Sequence, residues 1–181
     1  MERHLLLNDA VRTFILAGLL CASVAFSLNG EIPAAKRPSQ KQVLFVCTGN
    51  HYRSRFAEVL FNEKAGQAHL DWRAVSRGLR LVPSQHGMSP LAQQELTRRG
   101  VPLELPQSAP KALTREDLEQ SAYIVLMDEA EHRPLLEKQF PARDAGKVHY
   151  WHIAESGKMK PAKACEAMSR QIDELLRTLA R

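Results

Sequence analysis

Residues 43–54 read Val43-Leu44-Phe45-Val46-Cys47-Thr48-Gly49-Asn50-His51-Tyr52-Arg53-Ser54, a short apolar block that runs straight into a polar loop. The first four residues are β-branched or large and apolar, without the alternation of a strand that keeps one face in water. Such a run predicts a strand buried on both faces, as in parallel sheets. Cys47 ends the strand and Gly49 lies within the loop. From about Arg53 the spacing turns helical, with Ala57, Leu60, Phe61, Ala65 and Ala68 recurring on one side. Strand, loop and helix in that order open a doubly wound α/β domain, whose ligands sit at the carboxyl ends of the strands.

The rest of the chain continues the pattern. Residues 72–76 (WRAVS) predict a second strand, closed by Arg77-Gly78. Ser89 and Pro90 supply a cap and a first-turn proline for a helix that Gly100 stops. Thr114 with Asp117 is an acidic variant of the capping box before a short helix. Residues 123–127 (YIVLM) predict a third strand, residues 130–139 a helix with Pro134 in its first turns, and residues 148–151 a fourth strand. Met168, Ile172, Leu175, Leu176 and Leu179 make one apolar stripe on a closing helix. Buried strands alternating with helices predict a single doubly wound domain. Its four-stranded parallel sheet carries helices on both faces and a phosphate-binding loop after strand 1.

The loop has the composition of an anion site. Five residues, Thr48, Gly49, Asn50, His51 and Tyr52, separate Cys47 from Arg53. Wrapped between a strand end and a helix start, they can aim backbone N–H groups at one centre. The helix start adds partial positive charge there. Arg53 can lay a planar fork on two oxygens of the same anion. Cations and helix starts are the surroundings in which thiolates form, and a thiolate beneath a bound phosphate is an in-line nucleophile. Ser54 can donate a hydrogen bond to that sulfur. The competing reading makes Cys47 a small buried hydrophobe; the strand before it and the Arg-Ser helix start after it favour the anion site.

At this point the sequence resembles a family. Residues 43–61 (VLFVCTGNHYRSRFAEVLF) resemble the V-C-x-G-N-x-C-R-S-P signature of the low-molecular-weight protein tyrosine phosphatases. Residues 74–78 (AVSRG) are similar to that family's second-strand A-x-S-A-G, and residues 123–136 to its third-strand Met-Asp segment. The resemblance runs through most of residues 42–181. It implies a four-stranded parallel sheet, which the pass along the chain reaches separately. It also implies hydrolysis of phosphotyrosine through a phosphocysteine intermediate. By matching position it makes Cys47 the nucleophile, Arg53 the phosphate clamp and Asn50 the residue that orients the loop. Ser54 would bond the cysteine, and N–H groups from Thr48 to Arg53 would cradle the phosphate. Asp128 would support the site from beneath the acid loop.

Three positions depart from the family. Tyr52 stands where a second cysteine is common, and Arg55 where the proline follows Arg-Ser. The family's general acid belongs to an Asp-Pro pair after the fourth strand, and this chain has no Asp-Pro. Ala154, Glu155 and Ser156 stand in its place, which makes Glu155 the expected acid, with His152 and Asp128 as alternatives. Two other functions fit the same loop: arsenate reduction, and phosphate binding by a pseudophosphatase that lacks a proper acid. The expected partners are a phosphorylated protein or a small aryl phosphate or other oxyanion.

Several features fall outside the loop. The histidines, His51, His69, His86, His132, His149 and His152 among them, lack helical metal-site spacing, so neither a metal nor an organic cofactor is expected. Cys165 reads as a packing residue. Arg73, Arg77 and Arg80 form either a solvated face or a rim that attracts an acidic substrate. Tyr150 and Trp151 either stack on a phenyl ring or belong to the core.

At about 150 residues per domain, 181 residues leave room for one domain and an appendage. With 44% apolar and 25% charged residues, a collagen, a low-complexity chain and a multi-span membrane protein are excluded. Three cysteines are too few for a disulfide scaffold. The formal charge of +5 suits an anionic ligand, and no nucleic-acid partner is expected. Residues 1–30 form an apolar leader whose residues 13–30 carry no charge. A signal peptide or membrane anchor, a non-native upstream extension and a partly buried leading helix all fit it. Residues 31–41 read as a linker and residues 42–181 as the domain. If residues 13–30 associate with a membrane, Lys36, Arg37 and Lys41 place the domain in the cytoplasm, where a nucleophilic cysteine stays reduced. The alternative is export with a cleaved signal.

Overall fold

The computed structural model describes residues 40–103, 108–141, 145–155 and 157–181. The expected leader, and the linker as far as residue 39, lie outside the described residues. The first strand, β1 (Lys41–Cys47), opens one residue inside the expected linker. Its start is fixed by Gln42, whose buried amide donates to Ser121 Oγ at 3.0 Å. With β2 (Trp72–Gly78), β3 (Tyr123–Leu126) and β4 (Val148–Tyr150), it forms a wholly parallel sheet in the order β2-β1-β3-β4.

Successive side chains of β1 point to opposite faces, and both faces are buried. Val43, Phe45 and Cys47 join one core with α1 (Arg53–Gln67), α2 (Pro90–Arg98) and α5 (Pro161–Leu179). Leu44 and Val46 join the other with α3 (Arg115–Gln120) and α4 (Glu129–Gln139). On α5 the expected stripe is the buried face: Met168 and Ile172 are fully buried, Leu175 and Leu176 nearly so. Burial of each such side chain contributes about 1.5–3 kcal/mol of transfer free energy. Ser89 accepts from Ala92 N–H at the start of α2, and Thr114 and Asp117 form a reciprocal capping box on α3. Gly100, with φ of +71°, takes the left-handed conformation just beyond α2.

The core also decides between the readings of the aromatic pair after β4. Trp151 is buried, its ring tilted against Phe45 at 5.4 Å between centroids. Tyr150 packs against the opposite core, with the Arg133 guanidinium 4.7 Å from its ring centre. Trp151 therefore belongs to the core, and Tyr150 lies half-buried against the other one.

Candidate active site

The sheet delivers Cys47 to the end of β1, and residues 48–52 carry the chain from there to the start of α1. The outer carbonyls of this loop are tied to the protein. Leu79 N–H donates to the Cys47 carbonyl at 3.0 Å, Arg80 N–H to Thr48 at 2.8 Å and Ser89 N–H to His51 at 2.8 Å. In a trans peptide the N–H points opposite its carbonyl, so the N–H groups of Thr48, Gly49 and Tyr52 face the other way. α1 begins there without a side-chain cap and without an acidic residue in its first turn. Its partial positive charge is left for a ligand. β2 closes against the loop at Gly78, where a Cβ would lie 2.9 Å from both Thr48 O and Asn50 N. Only glycine permits that approach.

Asn50 holds the loop's shape. Its φ of +50° is left-handed, a conformation asparagine tolerates. Its buried side chain is satisfied at both ends: Nδ2 donates to Ser54 Oγ (3.1 Å) and Ser76 Oγ (2.8 Å), and Oδ1 accepts from Lys111 N–H (2.8 Å). Ser76 in turn donates to Glu58 on α1 at 2.6 Å. One amide thus links the loop to α1, to β2 and to the segment before α3. Because Ser54 Oγ already accepts from Asn50, its hydrogen is available for Cys47 Sγ, 3.1 Å away. Asn50→Ala removes all three bonds and takes from the Lys111 N–H its acceptor. An unfolding midpoint should record a loss of about 2–4 kcal/mol, accompanied by weaker phosphate binding; an unchanged midpoint would mean the loop holds itself.

Arg53 is nearly enclosed and its fork is already engaged. Nη1 donates to Glu131 Oε2 and Nη2 to Glu131 Oε1, both at 2.8 Å, while Nη1 also reaches the Ile153 carbonyl at 2.9 Å. Burial disfavours the guanidinium charge. The bond to Glu131, with Cys47, Glu131 and Glu155 nearby, outweighs that and raises its pKa above the ordinary value. Glu131 also accepts from the Thr48 hydroxyl. His132 is fully buried, its Nδ1 against the Asp128 backbone and its Nε2 3.3 Å from Thr48 Oγ1. Since the Thr48 hydrogen goes to Glu131, Thr48 Oγ1 faces Nε2 as an acceptor, and Glu131 Oε1 lies 3.4 Å from the same nitrogen. Burial works against ionisation of Glu131, yet the bonds from His132, Arg53 and Thr48 prevail. They hold its carboxyl well below the usual carboxylate range.

Glu155 follows β4 on a stretch bonded to the sheet by Trp151 N–H to Leu126 O (2.9 Å) and Ile153 N–H to Met127 O (2.7 Å). It lines a cleft of 340 Å³ together with Thr48, Arg80, Glu131 and Lys158. The structure therefore brings Cys47, the loop, Arg53, Ser54 and Glu155 to one end of the sheet. Asp128, expected beneath the acid loop, caps α4, accepting from Glu131 N–H at 2.9 Å. His51 clasps the neighbouring segment, its Nδ1–H donating to the Gly87 carbonyl at 3.0 Å. Tyr52 turns its side chain away, donating to Pro161 O at 3.0 Å with Cys165 Sγ 3.2 Å from its hydroxyl. Burial and that thiol push the Tyr52 phenol up, and burial likewise pushes Cys165 up. Arg55, at the family's proline position, is buried and donates to Ser108 Oγ at 2.9 Å.

The basic cluster divides: Arg77 is paired with Asp117 at 2.6 Å, while Arg80 reaches the cleft. Glu131 and His132 are the residues sequence reasoning passed over. The spacing of Asp128 and Glu131, a cap and a carboxylate three residues later, was the available signal for the first turn of α4. Among the described residues, no group of three or more His, Cys, Asp or Glu is placed to hold a metal ion. No helix among them is long and apolar enough to cross a membrane.

A parallel sheet whose first strand ends in a cysteine, followed by a tied-back loop and an arginine at an uncapped helix start, is an arrangement suited to an oxyanion. Comparison with known proteins carries that arrangement to a family. A sequence model of the low molecular weight phosphotyrosine protein phosphatases matches residues 42–160, and the chain belongs to that family. The low molecular weight phosphotyrosine protein phosphatase of Pongo abelii is 32% identical over 102 residues, 55% of this chain and 63% of that protein. The match thus spans a little under two thirds of the curated relative's length. The low molecular weight protein tyrosine phosphatase from T. tengcongensis has a solved structure with 29% identity and a TM-score of 0.66, covering 76% of this chain and 99% of that one. YfkJ from Bacillus subtilis, 23% identical, shares the fold with a TM-score of 0.69 over 80% of this chain and 97% of that one.

Proposed function

We propose that this chain is a cysteine-dependent phosphomonoester hydrolase, acting on phosphotyrosine in proteins or on small aryl phosphates. The supporting observation is the placement of Cys47 Sγ, 3.1 Å from Ser54 Oγ at the uncapped start of α1, with the Arg53 guanidinium at the same end of the sheet. Inward N–H groups and the Arg53 fork bind the phosphate oxygens while Cys47 Sγ attacks phosphorus in line. The bond to the leaving oxygen breaks as Glu155 gives that oxygen its proton. Water then attacks the phosphocysteine and loses a proton to Glu155, and the Ser54 hydroxyl stabilises the departing thiolate.

Trapping tests the scheme directly. Acid quench during turnover of a radiolabelled aryl phosphate should leave label on Cys47; hydrolysis without labelled protein would refute the intermediate. Glu155→Gln should slow phenyl phosphate by about 10²–10⁴-fold. It should slow p-nitrophenyl phosphate far less, because that leaving group needs little protonation. Equal rates for wild type and variant across pH would assign the proton to another residue.

Arsenate reduction by a thiol relay finds less support, because Cys165 is buried against Tyr52. A nucleophile that must stay reduced supports a cytoplasmic domain, and the uncharged residues 13–30 support membrane association.

A further inference from the structure

The proposed phosphate site contains an anion supplied by the chain itself. The Glu131 carboxylate meets the Arg53 fork with two oxygens, each at 2.8 Å from its nitrogen. That is the pairing a phosphate would make with the same fork. The Thr48 hydroxyl, on the first residue of the loop, is turned to Glu131 as well. Nor is the carboxylate a loose surface group. It stands in the first turn of α4, whose start is fixed by Asp128, and its side chain is 21% exposed against 5% for Arg53. Arg53 is held independently of Glu131 by its bond to the Ile153 carbonyl. The fork therefore has a reason to stay when its partner changes.

We propose that Glu131 is an affinity-determining residue of this site, an internal anion that substrate phosphate must displace from Arg53. The inference rests on the phosphate-binding reading above and goes beyond it in assigning what occupies the fork before substrate arrives. Two anions on one guanidinium fork repel each other in a partly enclosed site, where screening by water is weak. Binding is consequently an exchange. The apparent dissociation constant is the intrinsic one divided by the fraction of molecules whose fork is free. The displaced carboxylate has cations within the same cleft, Arg80 and Lys158, toward which to turn. A phosphate also gains the inward N–H groups and the helix start, which offset the lost ion pair. A halide or an acetate ion gains fewer contacts, so the exchange discriminates against it.

Two substitutions separate exchange from general electrostatics. Glu131→Gln and Glu155→Gln each remove one negative charge from the same cleft, and only the first releases the fork. Inorganic phosphate is titrated calorimetrically into the full chain at pH 7 and constant ionic strength. Glu131→Gln should bind phosphate about ten-fold tighter or more than wild type, because the fork-free fraction rises. Glu155→Gln should change the affinity by less than about three-fold, as expected of a screened charge. The KM for p-nitrophenyl phosphate should fall with the phosphate dissociation constant in Glu131→Gln. Should that variant fail to fold, Glu131→Ala is titrated in the same way.

Equal or weaker phosphate binding by the Glu131 variants overturns the proposal, as does equal tightening in Glu155→Gln. If those results accompany a trapped phosphocysteine, the exchange fails and the hydrolase reading stands. If wild type and variants all fail to bind phosphate and no phosphocysteine forms, both fail together.

Discussion

Cys47→Ser is expected to reduce turnover of p-nitrophenyl phosphate on the order of 10⁴–10⁶-fold in kcat, the scale seen when a nucleophile is removed. Phosphate binding should stay within a few-fold of wild type. The two halves of this prediction follow from different parts of the site. A serine hydroxyl needs a base to become a nucleophile, and the groups around Cys47 are donors: the Ser54 hydroxyl, the inward N–H groups and Arg53. Donors of this kind offer no base for a serine hydroxyl. In the proposed scheme binding comes from the loop N–H groups and the Arg53 fork, which the exchange of sulfur for oxygen leaves in place. Cys47 is 3% exposed among the core side chains of β1 and α1, so thermal unfolding must be measured alongside to show that the variant folds. Turnover that survives the substitution would falsify the assignment of Cys47 as nucleophile.

What could be read from the sequence was what lies close together in it. β1 and β3 declare themselves because both of their faces are buried and neither carries a charge in its central run. The capping pair Thr114–Asp117 and the stripe on α5 are local signals, and both reappear as structure. β2 shows where such reading stops. It runs on to Gly78 because its pairing with β1 continues to Cys47. Arg77 disguised that extension, since its charge suits a strand end until Asp117, forty residues later, is seen to neutralise it. The Cys47–Ser54 segment was legible because the cysteine, the loop and the arginine are contiguous. Glu131 was not, because its ion pair with Arg53 joins residues 78 positions apart. Nor could the sequence show that the Asp128 carboxylate caps the helix that carries Glu131 to this fork. Trp151 needed the third dimension too, since only packing against Phe45 decides between core and ligand contact.

Arg53→Lys should lower kcat/KM for an aryl phosphate by about 10²–10³-fold, the loss typical when a preorganised donor to the transition-state anion is removed. Lysine keeps the charge and loses the fork. One ammonium cannot hold the Ile153 carbonyl and also meet two oxygens of one anion in plane, as Arg53 does with Glu131. The deficit should fall on kcat as well as KM, because the planar fork matches the flattened array of equatorial oxygens that forms only in the transition state. The same arginine has a separate signature in stability. The Glu131 pKa is depressed from its ordinary 4.5 in the folded protein. The stabilisation tied to that shift is therefore present above pH 4.5 and is lost as pH falls through the lower folded value. In Arg53→Ala the part of the depression that Arg53 supplies is removed while the bonds from His132 and Thr48 remain, so the variant should be less stable than wild type at pH 7, by a margin that shrinks in acid. Denaturant midpoints measured at pH 7 and pH 3 give that margin. A pH-independent margin would mean that the loss comes from packing and from the unpaired Ile153 carbonyl. Combining Arg53→Lys with Glu131→Gln should then give less than the sum of the separate effects on phosphate affinity, because the competitor is worth little once the fork it occupies is gone.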